Sequence, residues 1–538
     1  MKSWKGAACF LIPVALASVL RMSNLSARPM HCDEAVHADI FGVLLEQGKY
    51  AYSTVDFHGP TLYYLTLVPA RLAGIRRYAD LEEFTLRSVP AVAGIALVGC
   101  HYFLIPYVGL PAAAGAALLA AVSPAMVYYS RYYIHETLLV LFTFLAFLCC
   151  LAYARGRRRI WAAAAGLGLG LMYATKETAV IAVAAAAAAW LAARVAVAPR
   201  GKVQSSRTGR ADWWALALAA GTAAATAGLL YSSFLTHPRG IIDSVTAYRT
   251  YLDRGSGYGT LHVHPWHYYL GLLLLFHGDG GPVWSEGAVW ILALVGSVSV
   301  LRDAAPPGVQ RPVAVVFTLY AVFMVSVYSL IPYKAPWNLL GFHHAVVVLA
   351  GIGGCGLAAR LRGIRQRVVL GGVLVAAVLH LTWQAQAAAC RYDTDPRNPW
   401  VYAHTGKDIY AIVQRLEALA DAHPEKSAVP VQVISRENLW PLPWYLRRFT
   451  GVRWWNGVPD SAPSAPVIIA TPDMEPALVH KLYEMPPPGR REMYVDMFDR
   501  YVELRPGVEI RGYVAKWLWD SYLQRSEAES GSPPEVRR

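Results

Sequence analysis

Long apolar blocks, separated by short and often basic loops, occupy the first 390 residues of the chain. A membrane-spanning helix needs about 20 mostly apolar residues. Blocks close to this length recur throughout the region, which predicts a polytopic α-helical membrane protein. The predicted spans are 7–22, 88–107, 111–128, 137–154, 160–175, 178–197, 213–234, 283–301, 312–331, 338–358 and 368–389, eleven in all.

Basic loops set the predicted orientation of these spans, because cytoplasmic loops carry an excess of lysine and arginine. Placing the basic loops inside puts the N-terminus in the cytoplasm, and the odd number of spans then places the C-terminus outside. The first apolar run is interpreted as a retained signal anchor, because no small-residue cleavage site follows it. The basic loops are 155–159, 194–210, 302–311 and 360–367.

Two shorter apolar pieces, 60–77 and 265–277, would break this parity if they crossed the membrane. Their first residues include proline, tyrosine and tryptophan, and the two aromatic types are common at the membrane surface. We therefore predict two helices that lie in or dip into the outer interface. The alternative for segment 60–77 is a cytoplasmic end, which Arg71, Arg76 and Arg77 would mark.

Composition supports the membrane assignment. Of the 538 residues, 55% are hydrophobic and only 16% are charged, whereas soluble domains carry about 25% charged residues. Arginines in the short loops account for much of the net charge of +13, so we expect membrane lipid and no nucleic acid as a partner. Cys32 and Cys390 lie in predicted non-cytoplasmic segments, and the sequence does not decide whether they pair.

The polarity of the chain changes abruptly after residue 389. VPVQVIS and APVIIAT have the pattern of buried parallel strands, and the segments that begin at His404 and Met474 have the pattern of amphipathic helices. We therefore predict a membrane domain over 1–389, an extracytoplasmic soluble α/β domain over 390–526, and a disordered tail over 527–538.

A few acids and lysines flank the predicted spans, and they lie on the predicted outer side. Ionisable groups close to the membrane are costly, and they often mark functional sites. Each of them alone also fits a helix terminus or a solvated loop. They are Asp33, Glu34, Glu136, Lys176, Glu177 and Lys334.

The convergence of these groups on one membrane face predicts a phosphate site with a general base beside it. A lipid-linked sugar phosphate has the matching chemistry, with an anionic head at the interface and a hydrocarbon tail in the bilayer. We predict that Glu136, Lys176 and Lys334 share one outward-opening cavity with Asp33. The side chains of Asp33 and Glu136 should then lie about 10 Å apart or less.

Two groups of histidines admit two interpretations each. HVHPWH, from His262, could bind zinc, but histidine and tryptophan before an apolar run are typical of the interface, and we predict no metal site there. His343 and His344 begin inside a predicted span, where they either line the cavity or hydrogen-bond across helices.

Five short sequence elements lie in order along the first third of the chain. They are Asp33-Glu34, FHGPTLYYL, LRSVP, SPAMVYYSRYYIHE and Thr175-Lys176. In this order and spacing they resemble the GT-C membrane glycosyltransferases, the superfamily of the protein O-mannosyltransferases and the lipid A aminoarabinose transferase. PYKAPWNLL, with a C-terminal domain ending in YVELRPGVEIRGYV, resembles more narrowly the flippase-activity-associated branch of that superfamily.

The resemblance implies transfer of a sugar, with inversion, from a polyprenyl-phosphate carrier to an acceptor on the non-cytoplasmic face. Asp33 matches the family's first-loop catalytic acid, which would take the proton from the acceptor hydroxyl. Glu34 matches the second acid of that pair. Glu136 lies at the family's second acidic position, where aspartate is usual, so its role and any dependence on a divalent cation stay open.

For substrate binding, the resemblance points to cations and one histidine. Lys176 matches the Thr-Lys turn and, with Arg131 or Lys334, would neutralise the departing phosphate. His58, in the aromatic-His-Gly-Pro element, is predicted to bind substrate, whereas Arg87 is interpreted as structural.

Two other classes of protein fit parts of this sequence. A transporter would commonly show internal repeats and helices broken near the midplane, whereas here no repeat is evident and the charges lie at one face. A non-catalytic flippase-associated or assembly subunit for lipid-linked sugars is the alternative, and it would tolerate substitution of Asp33. The acceptor stays open among protein, lipid and polysaccharide.

Overall fold

The computed structural model describes residues 2–54, 58–197, 212–257 and 262–530. The chain divides into two compact units, with a boundary at Tyr402 rather than at the predicted residue 389. Two segments between the first two predicted spans, Arg28–Asp39 and Tyr78–Asp80, belong to the second unit. The first unit is Met1–Ala27, Ile40–Arg77 and Leu81–Tyr402, and the second is Arg28–Asp39, Tyr78–Asp80 and Ala403–Arg538.

Helices account for every predicted span, so the predicted polytopic helical class is confirmed. Up to Tyr402 the chain forms α1 (Lys2–Met22), α2 (Cys32–Gln47), α3 (Thr61–Leu72), α4 (Glu83–Cys100), α5 (Ile105–Val108), α6 (Leu110–Val122), α7 (Pro124–Ser130), α8 (Glu136–Gly156), α9 (Arg159–Tyr173), α10 (Ala179–Ala196), α11 (Trp213–Tyr231), α12 (Arg239–Gly255), α13 (Tyr268–Leu274), α14 (Gly287–Leu301), α15 (Arg311–Leu330), α16 (Leu340–Arg360) and α17 (Ile364–Gln386).

Length and apolarity single out the helices that could cross a membrane. Within the described residues, seven helices meet both criteria, and eight do if α6 and α7 form one span bent by 58°. The apolar part of α1, Gly6–Met22, and helix α14 are shorter. The short helices α3 and α13 rise about 18 and 10 Å, less than the roughly 30 Å of a hydrocarbon core. Their length fits the predicted interfacial position.

The break between α6 and α7 is held by a buried polar pair. Pro124 lacks an N–H group, and Ser123 leaves the helical conformation at the break. Glu286, at the start of α14, accepts a hydrogen bond from the Ala125 N–H at 3.0 Å. His343 of α16 reaches the other oxygen of Glu286 at 2.8 Å. His343 therefore hydrogen-bonds across helices, which was one of its two predicted roles.

The second unit contains a five-stranded mixed sheet with the order β4-β3-β5-β9-β6, in which β3 pairs in parallel with β4 and β5. The strands of the chain are β1 (Phe276–His277) and β2 (Val283–Trp284) in the first unit, then β3 (Val431–Ile434), β4 (Val452–Trp455), β5 (Val467–Ala470), β6 (Tyr494–Asp496), β7 (Glu503–Arg505), β8 (Val508–Glu509) and β9 (Arg511–Ala515). The helices of this unit are α18 (Asp408–Ala422), α19 (Leu442–Tyr445), α20 (Glu475–Val479) and α21 (Lys516–Ser530).

Helices cover both faces of this sheet, which explains the continuous apolar runs of its central strands. Val431 and Val467 pack with Leu416 of α18 on one face. Ile434 and Ile468 pack with residues of α20 and the turn that follows it on the other face. The two predicted parallel strands and the two predicted helices are therefore confirmed.

The C-terminal end differs in part from the prediction. Helix α21 continues to Ser530, so residues 527–530 of the predicted disordered tail are helical. Residues 531–538 lie outside the described part of the chain. Cys32 and Cys390 are both free thiols.

Candidate active site

Glu136 and Lys176 form a buried ion pair in the first unit. Glu136 is the first residue of α8, where a carboxylate is favoured by the helix dipole. Lys176 lies in the turn between α9 and α10. Burial alone would lower the pKa of Lys176, but the Glu136 carboxylate outweighs it and the pKa is raised. Lys176 is therefore a cation held at the end of a span.

The His-Gly-Pro element and the Thr-Lys turn are in direct contact. The Gly59 N–H donates to the Thr175 carbonyl, and the Thr61 N–H donates to the Ala174 carbonyl, both at 3.1 Å. The Thr61 and Thr175 hydroxyls lie 2.7 Å apart. A Cβ at position 59 would collide with the Ala174 backbone, so only glycine allows this approach. Two motifs that are far apart in sequence thus build one structure.

His58 lies on this structure and pairs with Glu177, the residue after Lys176. The His58 Nδ1 donates to Glu177 Oε2 at 2.8 Å, and the Tyr52 hydroxyl donates to Glu177 Oε1 at 2.9 Å. Burial would raise the pKa of Glu177, but the interaction with His58 outweighs it and the pKa is lowered. The sequence marked Glu177 as one of several outer charges but did not identify it as a site residue.

A small cavity adjoins Glu136, between α8, α10, α15 and α16. The residues that line it include Tyr328, Trp337 and Asn338. Trp337 and Asn338 belong to the PYKAPWNLL element, from which the sequence singled out only Lys334. Their signal was an aromatic and an amide three and four residues after the lysine, but polarity alone did not mark them as site residues.

An apolar groove of about 140 Å³ adjoins this cavity between the same four helices and α9. The cavity and the groove share Val140, Thr143, Ala182, Tyr320 and Gly341. His344 lies in the wall of the groove, which was the other role predicted for the histidine pair. The apolar groove therefore adjoins the cavity that is lined by Glu136, one partner of the buried ion pair.

Three further sequence candidates of the first unit make backbone contacts. Arg131 donates to the carbonyls of Leu20, Arg21, Ser23 and Asn24 at 2.7–3.2 Å, and so caps the end of α1. The other two also donate to backbone carbonyls. Arg87 donates to the Leu25 carbonyl, and Lys334 donates to the carbonyls of His264 and Ile331. Arg87 thus has a structural contact, as interpreted, and substrate binding by Arg131 and Lys334 stays a prediction.

The histidines around HVHPWH contact a tyrosine. The rings of His262 and His264 both hydrogen-bond to the Tyr402 hydroxyl. Among the described residues, no group of three or more histidine, cysteine, aspartate or glutamate side chains is arranged to hold a metal ion.

Asp33 and Glu34 belong to the second unit, where Glu34 is fully buried and fixed by local contacts. Arg28 donates to Glu34 at 3.1 Å, and the His31 N–H donates to it at 2.9 Å. Asp33 is only half-buried. Burial, with the neighbouring Asp33 carboxylate, raises the pKa of Cys32 to about 12. The predicted approach of Asp33 to the residues of the first unit stays a prediction.

The helical membrane unit and its mixed-sheet companion have the GT-C glycosyltransferase fold. The crystal structure of ArnT from Cupriavidus metallidurans bound to undecaprenyl phosphate matches with a TM-score of 0.65 at 15% identity, over 93% of this chain and 97% of ArnT. Its apo form matches with a TM-score of 0.62 at the same identity and coverage. The Archaeoglobus fulgidus oligosaccharyltransferase, in complex with zinc and sulfate, matches with a TM-score of 0.54 at 14% identity, over 87% of this chain and 68% of that one.

A family model points the same way. The model described as dolichyl-phosphate-mannose-protein mannosyltransferase matches residues 59–226, which include Glu136 and Lys176. No curated protein sequence matches the chain. The resemblance to the GT-C glycosyltransferases is thereby confirmed, whereas the narrower resemblance to the flippase-associated branch stays a prediction.

Proposed function

We propose that the protein is a membrane glycosyltransferase that moves a sugar from a polyprenyl-phosphate carrier to an acceptor on the non-cytoplasmic face. The observation that carries this proposal is the apolar groove that adjoins a cavity lined by Glu136, the partner of Lys176. A hydrocarbon tail in the groove stays in surroundings as apolar as the bilayer. Its phosphate then reaches a lysine at the end of the span.

The charge arrangement suits a leaving phosphate. Lys176 is held by Glu136 and can neutralise the negative charge that develops on the departing phosphate. In the proposed reaction the acceptor oxygen attacks the anomeric carbon and its proton passes to Asp33. The bond from that carbon to the phosphate oxygen breaks, and the carrier phosphate leaves with the electron pair. Attack opposite the phosphate inverts the anomeric centre.

The comparisons support the proposal at the level of fold and ligand class. ArnT, which shares the fold over most of both chains, was crystallised with undecaprenyl phosphate. The family model that matches residues 59–226 is described by a lipid-phosphate-linked mannose donor. The acceptor is a protein, lipid or polysaccharide, and the N-terminus is cytoplasmic in the proposed orientation.

The test is in vitro transfer from a panel of undecaprenyl-phosphate sugars. Asp33→Asn keeps the shape of the side chain and removes its basicity, so turnover should fall by about 10²–10⁴-fold with donor binding retained. Glu34→Gln should cost less, because Glu34 is occupied by Arg28 and the His31 N–H. Asp39→Asn, on an exposed position of the same helix α2, is the matched control. Near-normal turnover by Asp33→Asn would remove the proposed base.

A further inference from the structure

Helix α12 has three faces that differ in character. One face is buried against the rest of the first unit and carries Gly240, Ser244 and Ala247. A second face is polar, and the third is apolar but exposed, which commonly marks an interaction surface. The polar face carries Arg239, Asp243, Thr246 and Asp253, and the exposed apolar face, the α12 stripe, consists of Ile241, Ile242, Val245 and Leu252.

The α12 stripe is continuous along the helix. Ile241, Val245 and Leu252 follow one another at spacings of four and seven residues, which place side chains on one line of an α-helix. Ile242, Val245 and Leu252 are 66%, 62% and 74% exposed. The charges of the polar face keep α12 out of the set of helices apolar enough to cross a membrane. An apolar stripe beside a charged face is the pattern of a helix that lies in the membrane surface.

The exposed surface of α11 runs directly into this stripe. Helix α11 is long and apolar enough to cross a membrane, and only 6% of its apolar stretch is buried in the protein, so lipid covers most of it. Phe234 and Leu235, in the turn that follows α11, are also apolar and exposed. The Ile241 side chain lies beside Gly228 of α11. The lipid-facing surface of a span thus continues through the turn into the α12 stripe.

The start of α12 is held closely against the end of α11. A Cβ at Gly240 would lie 2.1 Å from the Tyr231 carbonyl oxygen, so only glycine allows this approach. Within the connecting turn, the His237 N–H donates to the Ser232 carbonyl at 2.8 Å. These contacts keep α12 at the end of the span, which is where the hydrocarbon core gives way to the interface.

The buried face of α12 contacts the turn that carries Lys176. The hydroxyl of Tyr173, the last residue of α9, donates to the Ser244 carbonyl at 3.3 Å. The Tyr248 hydroxyl donates to the Glu177 carbonyl, also at 3.3 Å. Residues on both sides of Lys176 therefore hydrogen-bond to one helix.

We propose that α12 is an anchor that lies in the membrane surface, with the α12 stripe among the acyl chains of the phospholipid leaflet beside Lys176. The polar face then meets headgroups and water. Arg249, exposed beside the stripe, extends its stem over apolar surface and reaches a lipid phosphate with its guanidinium. By holding α12, the bilayer also holds the turn of Lys176. This effect on transfer rests on the proposed function, whereas the contact with lipid does not.

The first test is photocrosslinking of the full chain in vesicles of phosphatidylethanolamine and phosphatidylglycerol. The photoreactive residue p-benzoylphenylalanine replaces either Val245, in the stripe, or its neighbour Thr246, on the polar face. Illumination should give about 10-fold more phospholipid adduct at position 245 than at 246, measured by mass spectrometry of the intact protein. Equal adducts at the two positions, or a crosslink from position 245 to a second protein chain, would overturn the inference.

The second test removes the apolar contact without touching the buried face of α12. Val245→Ser/Leu252→Ser should lower transfer in vesicles by about 10-fold, because a small displacement of a binding group is costly. Hydrogen exchange of the amides of residues 174–178 should become faster, because their support is loosened. Thr246→Ser/Asp253→Ser places the same residue twice on the polar face of α12 and should change neither quantity. Wild-type exchange and transfer in the stripe variant would overturn the anchoring role.

Two features of the design separate the anchor from the reaction. Crosslinking and hydrogen exchange need no donor, so they decide the inference even if wild type transfers from none of the undecaprenyl-phosphate sugars. That result would overturn the proposed function alone. All variants are compared at matched amounts of monodisperse protein, and Val245→Ser alone replaces the double variant if the latter does not fold.

Discussion

Glu286 and Glu136 are two buried carboxylates of the same membrane unit, and each has a cationic or hydrogen-bonding partner in another segment of the chain. Glu286 is occupied by the Ala125 N–H and by His343, and it holds the bend between α6 and α7. Glu136 pairs with Lys176 and also lines a cavity. Burial of charge alone therefore does not distinguish a structural carboxylate from a functional one.

The difference lies in what surrounds the pair. A buried ion pair gains little net stability, because desolvation of two charges offsets their attraction, but removal of one partner is costly. The contacts of Glu286 stabilise the bend between α6 and α7, where Pro124 has no N–H group to continue the helix. At Glu136 the same cost is borne beside a small cavity that Glu136 itself lines, and in the proposed function the donor phosphate competes with Glu136 for Lys176. The second arrangement is the one expected of a site.

The largest expected effect is on stability, from Glu286→Ala. It removes the acceptor of the buried Ala125 N–H and leaves the His343 ring with only the Ser123 hydroxyl at 3.2 Å, so unfolding should become easier by about 3–5 kcal/mol. Chemical unfolding in detergent measures this loss. Glu286→Gln, which keeps an acceptor for the Ala125 N–H, should be milder. A Glu286→Ala protein of normal stability but without transfer activity would reverse the assignment of the two carboxylates.

The next effect is on catalysis, from Lys176→Met. Loss of the cation should lower turnover by about 10²–10³-fold, as for other groups that stabilise charge in a transition state. The single variant also leaves Glu136 unpaired, so stability should fall. The double variant Lys176→Met/Glu136→Gln should regain stability and remain inactive, and Lys176→Arg should keep part of the activity. Recovery of turnover in the double variant would make this pair structural, like Glu286–His343.

A smaller effect should follow from Gly59→Ala. The added methyl group would meet the Ala174 backbone and push the Thr-Lys turn away from the His-Gly-Pro element. Overpacking of this kind costs about 1–3 kcal/mol, and the displaced turn should slow transfer. Gly99→Ala is the control, because the nearest atom to its added methyl group is 3.9 Å away. Equal behaviour of the two variants would show that the contact between the motifs does not position the site.

Much of the fold followed from the sequence because each prediction rested on a local requirement. A lipid environment demands long apolar helices, and all the predicted spans fall on helices. VPVQVIS and APVIIAT were identifiable as parallel strands because both of their faces are buried. The boundary at Tyr402 was not identifiable, because it depends on which segments of the first loop pack with the second unit.

The site was predicted only as a set of charges. The cost of charge near a membrane singled out Glu136 and Lys176 but gave no partner for Glu177. The partner, His58, is 119 residues earlier in the chain, and no periodicity connects positions at that separation. The same limit hid the contacts of Arg131 with the end of α1. The sequence indicates where a charged side chain has a high desolvation cost, and only the fold shows which contacts offset that cost.

The smallest expected effect concerns an ion pair that is not buried, between Asp408 at the start of α18 and Arg500. Partial burial would raise the pKa of Asp408, but Arg500 and the Glu503 N–H outweigh it and the pKa is lowered. A carboxyl group with a lowered pKa stabilises the fold above its unfolded pKa of about 3.9. That contribution is lost as the pH falls through the folded value.

Asp408→Asn should therefore lower the unfolding midpoint at pH 7 by only about 1–3 °C, because solvent screens the pair. The difference from wild type should shrink below about pH 4, where the wild-type carboxyl group also becomes neutral. Thermal unfolding of the full chain, followed by tryptophan fluorescence at pH 7 and pH 3, measures both quantities. A loss as large as that of Glu286→Ala would show that exposure does not separate weak pairs from strong ones in this protein.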